Sequence, residues 1–328
     1  MLGLIEINPW HWVGFILFVL FFLALDLGVF HRQSHVVKFK EALTWSVIWG
    51  VLSLLFAAAL IPLRGRSEAE EFVTGYIIEL SLSMDNVFVI ALIFAFFRVP
   101  PQYQHRVLFW GILGALLMRG MMILAGAALI QRFQWTLYFF GAFLVFTGIK
   151  MLFTDDEGVE PEKNPVIKLA RKYFPVSDAD HGENFLVQIN GRKMLTTLAL
   201  VLLMVETTDL IFALDSIPAI FAVTTKPFIV FTSNVFAILG LRSLYFVLAG
   251  AIDYFRYLKI GLSVVLVFIG GKMLLAPHSH DVDAHKWFQV EIPTGTSLLV
   301  VGGIIATSIL LSITAARREK RAAKRASR

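Results

Sequence analysis

The sequence contains no cysteine. This absence excludes disulfide bonds, thiolate metal ligands and thiol redox chemistry on the chain itself. The sequence also has no glycine-rich loop of the kind that cradles phosphates, and no nucleophile with a base placed beside it in a catalytic motif. The sequence therefore shows no motif for ATP hydrolysis or covalent catalysis. We expect a protein that is not an enzyme and uses no organic cofactor.

Charged residues are scarce. Only 16% of the 328 residues are charged, whereas 57% are hydrophobic and the mean hydropathy is +0.74. One soluble core cannot hide so much apolar surface, which places the chain in a bilayer. Apolar stretches of roughly 20 residues, enough to cross about 30 Å of hydrocarbon, recur along the chain. We predict an all-α membrane protein with about nine transmembrane helices, at residues 10–30, 42–62, 72–97, 107–130, 135–153, 195–223, 228–250, 257–276 and 297–316.

The distribution of Lys and Arg indicates how the chain is oriented. With the C-terminus in the cytoplasm, that side receives most of the basic loops and the tail "RREKRAAKRASR", and the opposite side receives few basic residues. Because positive charge favours the cytoplasmic side, we predict the N-terminus outside and the C-terminus inside. We interpret the tail as a topological signal that contacts anionic lipid, and we expect no nucleic-acid partner because no nucleic-acid-binding fold accompanies the charge. The oligomeric state stays open.

Three blocks of sequence occur twice in the same order, which indicates an internal repeat. The first pair places an acid six residues before an aspartate, the second places an arginine inside an apolar helix, and the third carries a lysine near its end. Since each unit contains three spans, the second unit starts on the opposite side of the membrane and the repeats are inverted. The paired blocks are "ELSLSMDN" with "DLIFALDS", "ILGALLMRGMMILAG" with "AILGLRSLYFVLAG", and "LVFTGIKMLF" with "LVFIGGKMLL".

The repeat divides the chain into five parts. Two N-terminal membrane helices come first, a cytoplasmic linker separates the repeats, and an outer loop, a last helix and the basic tail follow. The linker carries a short basic amphipathic stretch, "PVIKLARKYF", and an Asn190-Gly191 pair that predicts a tight turn. We expect it to lie partly on the membrane surface. The predicted parts are 1–71, repeat one at 72–153, the linker at 154–193, repeat two at 194–276, and 277–328.

Five carboxylates lie inside two of the predicted spans. An ionised group at mid-membrane costs at least about 2.5 kcal/mol, so such groups persist where they face a cavity, a partner or an ion. Salt bridges to Arg119 and Arg242 are the plain structural explanation. Two arginines cannot neutralise five acids, however, and the remaining negative charge calls for protons or cations. The five are Glu79, Asp85, Glu206, Asp209 and Asp215.

Helix geometry limits how these acids can meet. Six residues along a helix give about 9 Å of rise and leave the two acids of each motif about 120 degrees apart. Either the acids form successive stations along a path, or the helices break at the motifs and draw them together. In both cases we predict that Glu79 meets Asp215, and that Asp85 meets Asp209, near the midplane.

The chemistry of the candidate ligands indicates the kind of ion. Asn86 and Ser216 follow the second acid of each motif, and Asn234 is a further candidate. A cluster that offers only oxygen atoms suits hard or borderline divalent cations such as Mn²⁺, Mg²⁺ or Ca²⁺. Without cysteine or histidine in the cluster, tight selectivity for Zn²⁺ or Cu⁺ is not expected.

The segments "GYIIELSLSMDNVFV", "ETTDLIFALDSIPAIFAVTTKPFIV" and "TSNVFAILGLRSLYFVLAG" closely resemble the TerC/Alx family of integral membrane proteins, and within it the Alx branch. The likeness extends from the first span to the ninth. It implies a lysine-exporter-like fold with inverted repeats, and a manganese exporter of the bacterial inner membrane in which the five motif acids bind the metal. Although the family is named for tellurium resistance, a pathway lined by carboxylates should repel an oxyanion.

These observations predict a secondary transporter that exports Mn²⁺ by alternating access, with proton exchange as the expected driving force. Two alternatives remain. A membrane assembly or scaffold protein without transport activity would tolerate Asp85→Asn and Asp209→Asn, and would depend on the linker or the tail. A transporter for Ca²⁺ or a small organic cation would keep the acids and change the substrate.

Overall fold

The computed structural model describes residues 7–25, 39–153, 164–177, 179, 181–189, 191–248, 257–276, 290 and 292–326, with side chains up to residue 318. It contains ten α-helices and three short β-strands within these residues. The helices are α1 Pro9–Leu25, α2 Phe39–Arg64, α3 Arg66–Phe96, α4 Pro101–Arg132, α5 Trp135–Phe153, α6 Pro165–Tyr173, α7 Thr197–Phe221, α8 Pro227–Leu248, α9 Leu258–Leu275 and α10 Thr294–Ala326, and the strands are β1 Val176–Ser177, β2 Leu186–Ile189 and β3 Arg192–Thr196.

Eight of the described helices are long and apolar enough to cross a membrane: α2 to α5, α7 to α9, and α10 as far as Arg318. The shorter apolar helix α1 matches the start of the first predicted span, and the predicted end of that span at residue 30 lies outside the described residues. The protein is therefore an all-α membrane protein. Proline begins both α4 and α8, where its missing N–H removes no helical hydrogen bond.

Helices α5 and α9 cross in close contact because glycines line the crossing. A Cβ atom on Gly270 would lie 2.6 Å from the carbonyl oxygen of Gly141, and one on Gly148 would lie 2.9 Å from the carbonyl oxygen of Ser263. Gly141, in the first half of α5, faces Gly270 in the second half of α9, whereas Gly148, later in α5, faces Ser263 near the start of α9. The two helices, the third of each predicted repeat, are therefore antiparallel.

The contacts at this crossing are reciprocal. Aligning "LVFTGIKMLF" with "LVFIGGKMLL" matches Gly148 with Gly270 and Leu144 with Leu266. Gly148 faces Leu266, and Gly270 faces Leu144. Exchanging the two blocks thus converts one set of contacts into the other, which is the relation that a pseudo-two-fold axis between α5 and α9 would produce.

The first helices of the two repeats are also antiparallel. Gly75, near the start of α3, faces Ile220 near the end of α7, and Asn86, further along α3, contacts Asp209 at the middle of α7. This direction is the one that inverted repeats require of α3 and α7. The full superposition of the two repeats stays a prediction.

The second helices, α4 and α8, follow the same rule. Gln104 at the start of α4 accepts a hydrogen bond from Tyr245 near the end of α8, whereas Gly120 lies against Phe231 near the start of α8. Each helix of the first predicted repeat thus runs antiparallel to its counterpart in the second.

The described residues of the linker, which begin at Asn164, form a helix and a small sheet. The amphipathic stretch forms α6, whose N-cap Asn164 accepts hydrogen bonds from the next backbone N–H groups, and Ile167 and Ala170 pack into the core beside α7. Strands β2 and β3 form a hairpin in which Ile189 pairs with Arg192, and Gly191 has a φ of +77°. The prediction of a tight turn is consistent with this hairpin, but the three-stranded sheet was not expected.

Candidate functional site

Arg119 of α4 lies between α3 and α7 and joins an acid from each. Its Nε donates to Oδ2 of Asp209 at 3.0 Å and its Nη2 donates to Oδ1 at 2.8 Å. Its Nη1 donates to Oε1 of Glu79 and to the hydroxyl oxygen of Ser216 at 3.3 Å. Arg119 is 1% exposed and Glu79 is 0% exposed. The two acids of the predicted site that lie deepest in the structure thus share one guanidinium.

The first acid and the last residue of each motif face this cluster. Glu79 and Asn86 are seven residues apart, as are Asp209 and Ser216, and seven residues make two turns of a helix. The Nδ2 atom of Asn86 lies 3.5 Å from Oδ1 of Asp209, while Ser216 contacts Arg119. The repeated motif therefore contributes equivalent positions from α3 and α7 to one buried site.

Helices α3 and α7 are continuous through the motifs, so the second acid of each motif does not share a helix face with the first. Asp215 accepts a hydrogen bond from Thr147 and interacts electrostatically with Lys150, both on α5. Asp85 is half-buried on α3. The observed pairing of Glu79 and Asp209 through an arginine differs from the predicted pairs, since an unbroken helix keeps the two acids of a motif about 120 degrees apart.

Glu206 lies one turn before Asp209 on α7, close enough for the two carboxylates to interact electrostatically. Its carboxylate fills the space beside Gly114 of α4, where a Cβ atom would collide with it. The Oε2 atom of Glu206 is buried and has no hydrogen-bond partner. Gly114, which the sequence did not single out, therefore makes room for a third carboxylate beside the central pair.

Several buried oxygen atoms near the motifs have no hydrogen-bond partner. They include Oε2 of Glu79 and Oδ1 of Asn86, in addition to Oε2 of Glu206. Asn234 on α8 is fully buried, and neither its amide nitrogen nor its amide oxygen has a partner. Buried polar atoms are normally satisfied, so these oxygens have lone pairs to offer to water or a cation.

Arg242, the second arginine of the repeat, has a partner that the sequence did not suggest. Its Nη1 lies 3.1 Å from Nε2 of His105 at the start of α4. Because a guanidinium only donates, Nε2 of this histidine accepts. Both residues are buried. Arg242 thus links α8 to α4, and its predicted role as a supporting residue at the acidic site stays untested.

A second ionic network, with buried carboxylates and an exposed lysine, joins the start of α3 to the turn between α7 and α8. Glu71 accepts from the hydroxyl of Thr224 at 2.7 Å and from Nζ of Lys226 at 3.1 Å. Glu68 contacts Lys226 at 3.3 Å and Arg64 at 2.8 Å. The sequence signal was the acidic "EAEE" run before the third apolar stretch, which the predicted span excluded. This network holds the two predicted repeats together at one end of the bundle.

The linker is attached to the start of α4, at the end of the bundle opposite to this ionic network. Arg106 forms a salt bridge of 3.0 Å with Glu183, and its guanidinium lies 5.7 Å from the ring centre of Phe185. The backbone of β3 leads directly into α7, whose N-cap Thr196 accepts from the N–H of Ala199. The linker therefore covers the end of the bundle at which α4 and α7 begin.

In the part of the chain that the structure describes, no three His, Asp or Glu side chains gather closely enough to hold a metal ion. Arg119 is the cation that joins the two central carboxylates in this conformation. Among the predicted ligands, Glu79, Asn86, Asp209 and Ser216 thus form a central group around Arg119, and Glu206 lies beside it. Asp215 lies against α5 and Arg242 contacts His105, while Asp85 is half-buried on α3 and Asn234 is buried on α8.

Ionisable residues buried between transmembrane helices are typical of membrane proteins with a functional site in the bilayer, and this architecture defines a multi-pass membrane protein of that class. The chain belongs to the TerC family of integral membrane proteins, because that family's model matches residues 64–320.

Bacterial relatives match along almost the whole chain. An uncharacterized membrane protein of Myxococcus xanthus is 51% identical over 310 residues, which cover 94% of both chains. The Alx protein of Salmonella typhi, named as a proposed membrane-bound redox modulator, is 48% identical over 93% of this chain and 94% of its own. An uncharacterized membrane protein of Rickettsia felis is 38% identical over 92% of this chain and 97% of its own. No solved structure matches.

Proposed function

We propose that this protein is a secondary transporter that exports a divalent metal ion, Mn²⁺ in the first place, by alternating access. The observation that carries the proposal is the buried group formed by Glu79, Asp209 and Glu206 between α3, α4 and α7. Three carboxylates and one guanidinium leave surplus negative charge in a low-dielectric setting, which favours a cation as the substrate.

The donor set supports a hard or borderline metal. Glu79, Asn86 and Glu206 each have a buried oxygen atom without a hydrogen-bond partner. Oxygen ligands suit Mn²⁺, Mg²⁺ and Ca²⁺, and the order among these three is a matter for measurement. We expect no organic cofactor and no enzymatic activity.

The second acids of the motifs support a path with more than one station. Asp215 interacts with Thr147 and Lys150 of α5, away from Arg119, and Asp85 is half-buried on α3. We propose that the ion passes from the central carboxylates to these acids as the helices of the two repeats rearrange. Protons that bind the surplus carboxylates, those that Arg119 does not neutralise, would supply the coupling after the metal leaves.

The protein is an integral multi-pass membrane protein with bacterial relatives. We propose the bacterial inner membrane as its location, with the N-terminus outside and the C-terminus in the cytoplasm. The excess of Lys and Arg in the predicted cytoplasmic loops and tail supports this orientation.

Metal uptake into proteoliposomes tests the proposal. Purified protein should take up Mn²⁺ faster than protein-free vesicles, and Glu79→Gln or Asp209→Asn should abolish the difference. Glu70→Gln, which alters an exposed pair with Arg66 on the same helix as Glu79, is the matched control and should transport normally. Competition with Ca²⁺ and Mg²⁺ would give the selectivity. Correctly folded wild-type protein without metal flux would refute the proposal.

The folded linker favours one alternative, a membrane assembly or scaffold protein. Its sheet and α6 present a surface outside the membrane spans, with Leu169, Tyr173 and Phe174 exposed. On this alternative, Arg106→Gln or changes to α6 would abolish function while Glu79→Gln would not. The redox role in the name of the Alx relatives belongs to those proteins, and a thiol mechanism is closed to this chain because it has no cysteine.

A further inference from the structure

We infer that Arg119 is a tethered substitute for the transported cation, which holds Glu79 and Asp209 when no metal is bound there and withdraws when the metal enters. The inference rests on the proposed transport function and assigns this arginine a role in the cycle. The observation behind it is the position of the guanidinium on the carboxylates best placed to bind the substrate.

The contacts of Arg119 are those of a counter-ion at a binding site. Two of its nitrogen atoms donate hydrogen bonds to the two carboxylate oxygens of Asp209, at 3.0 and 2.8 Å, and a third donates to Glu79. A guanidinium keeps its charge at any physiological pH, and its planar fork matches a carboxylate at two points. The guanidinium is therefore always charged, and the charge at the site changes only when the side chain moves.

Metal and guanidinium compete for the same two carboxylates. A hard divalent cation takes about six oxygen ligands at roughly 2.0–2.6 Å. Among the described residues no three acidic or histidine side chains are gathered for such coordination while Arg119 holds Glu79 and Asp209. Coordination by both acids thus requires Arg119 to release at least one of them.

The pairing of Arg119 with both carboxylates after metal release has a consequence for transport. After metal release, two buried carboxylates without a partner would resist the return of the transporter through the low-dielectric bilayer. Arg119 removes that obstacle by pairing with both. Net transport, which requires the metal-free protein to return, therefore depends on Arg119, whereas exchange of metal for metal does not.

Two fluxes and one binding measurement test this role. Net Mn²⁺ uptake and Mn²⁺–Mn²⁺ exchange are measured in the same proteoliposomes, and Mn²⁺ affinity is measured by isothermal titration. For Arg119→Gln we expect net uptake to fall at least about tenfold, exchange to stay within about threefold, and affinity to rise by about tenfold or more because a repelling charge is removed. Arg132→Gln, at the exposed end of the same helix, is the control and should change none of them.

Arg119→Lys keeps the charge but loses the two-point grip. We expect its ratio of net uptake to exchange to lie between those of the wild type and Arg119→Gln. If Arg119→Gln does not fold, Arg119→Lys alone tests the role of Arg119. An unchanged ratio in both variants, or an equal loss of binding, exchange and net uptake in folded protein, would overturn the inference. A wild-type protein without Mn²⁺ flux would instead overturn the proposed function, and the inference with it.

Discussion

Replacing Gly270 with alanine tests the glycine crossing of α5 and α9. The new Cβ would lie 2.6 Å from the carbonyl oxygen of Gly141 and 2.9 Å from Cβ of Leu144. A carbon atom normally approaches a carbonyl oxygen to about 3.3 Å, so the helices must separate by roughly 0.7 Å at the crossing. Because the obstacle is backbone, no side-chain rotation relieves it.

The neighbouring glycine supplies the control. Nothing lies within 4 Å of a Cβ built on Gly271. Both substitutions gain about 1 kcal/mol of helix propensity, so the difference between them isolates the packing cost. Overpacking costs about 1–3 kcal/mol, and we expect Gly270→Ala to be less stable than Gly271→Ala by that amount.

Thermal unfolding in detergent, followed by tryptophan fluorescence, measures this difference. Gly148→Ala should behave like Gly270→Ala, because its Cβ would lie 2.9 Å from the carbonyl oxygen of Ser263. Equal stability of Gly270→Ala and Gly271→Ala would refute the close crossing and the reciprocal contacts derived from it.

Two further changes test the buried charges. Gly114→Ala should displace the carboxylate of Glu206 and lower Mn²⁺ flux several-fold with little change in melting temperature, since the obstructing group is the end of a flexible side chain. Gly120→Ala, on the same helix, should leave the flux normal, and equal fluxes would contradict the proximity of Glu206 to the site. Glu71→Gln weakens the buried hydrogen bond that Glu71 accepts from Thr224 and should reduce stability by about 1–3 kcal/mol in denaturation experiments, whereas Glu70→Gln should change it by less than about 0.5 kcal/mol. A Glu71→Gln protein as stable as the Glu70→Gln protein would rule out that hydrogen bond.

The membrane-spanning helices could be predicted because runs of about 20 apolar residues can be recognised directly in the sequence. The predicted span at residues 72–97 began too late, since α3 starts at Arg66. The extra turn is acidic and looks unlike a membrane helix. Its charges are tolerated because Lys226 and Arg64 neutralise Glu68 and Glu71, which lie far from Lys226 in sequence.

The partners of the acids were harder to predict. A repeat shows which residues are equivalent, but equivalent residues can meet each other or meet a third group. Here Glu79 and Asp209, the first acids of the two motifs, share Arg119, and Asp215 turns toward Thr147. Only the packing of α4 between α3 and α7 decides this, and no local pattern encodes it.

The linker shows the opposite case, in which a local signal was available. The Asn-Gly pair between "FLVQI" and "RKMLT" is a strong indication of a two-residue hairpin, and β2 and β3 flank it. The parallel pairing of Val176 with Leu195 was not predictable, because it joins residues separated by the whole hairpin.

The most direct test of the central claim is Mn²⁺ binding measured by electron paramagnetic resonance, in which protein-bound Mn²⁺ loses the sharp signal of the free ion. Wild-type protein and Glu70→Gln should both remove free Mn²⁺ from solution. Glu79→Gln and Asp209→Asn should fail to do so if the buried carboxylates are the ligands. Binding that is absent from the wild type, or equal in all four proteins, would contradict a carboxylate metal site between α3 and α7.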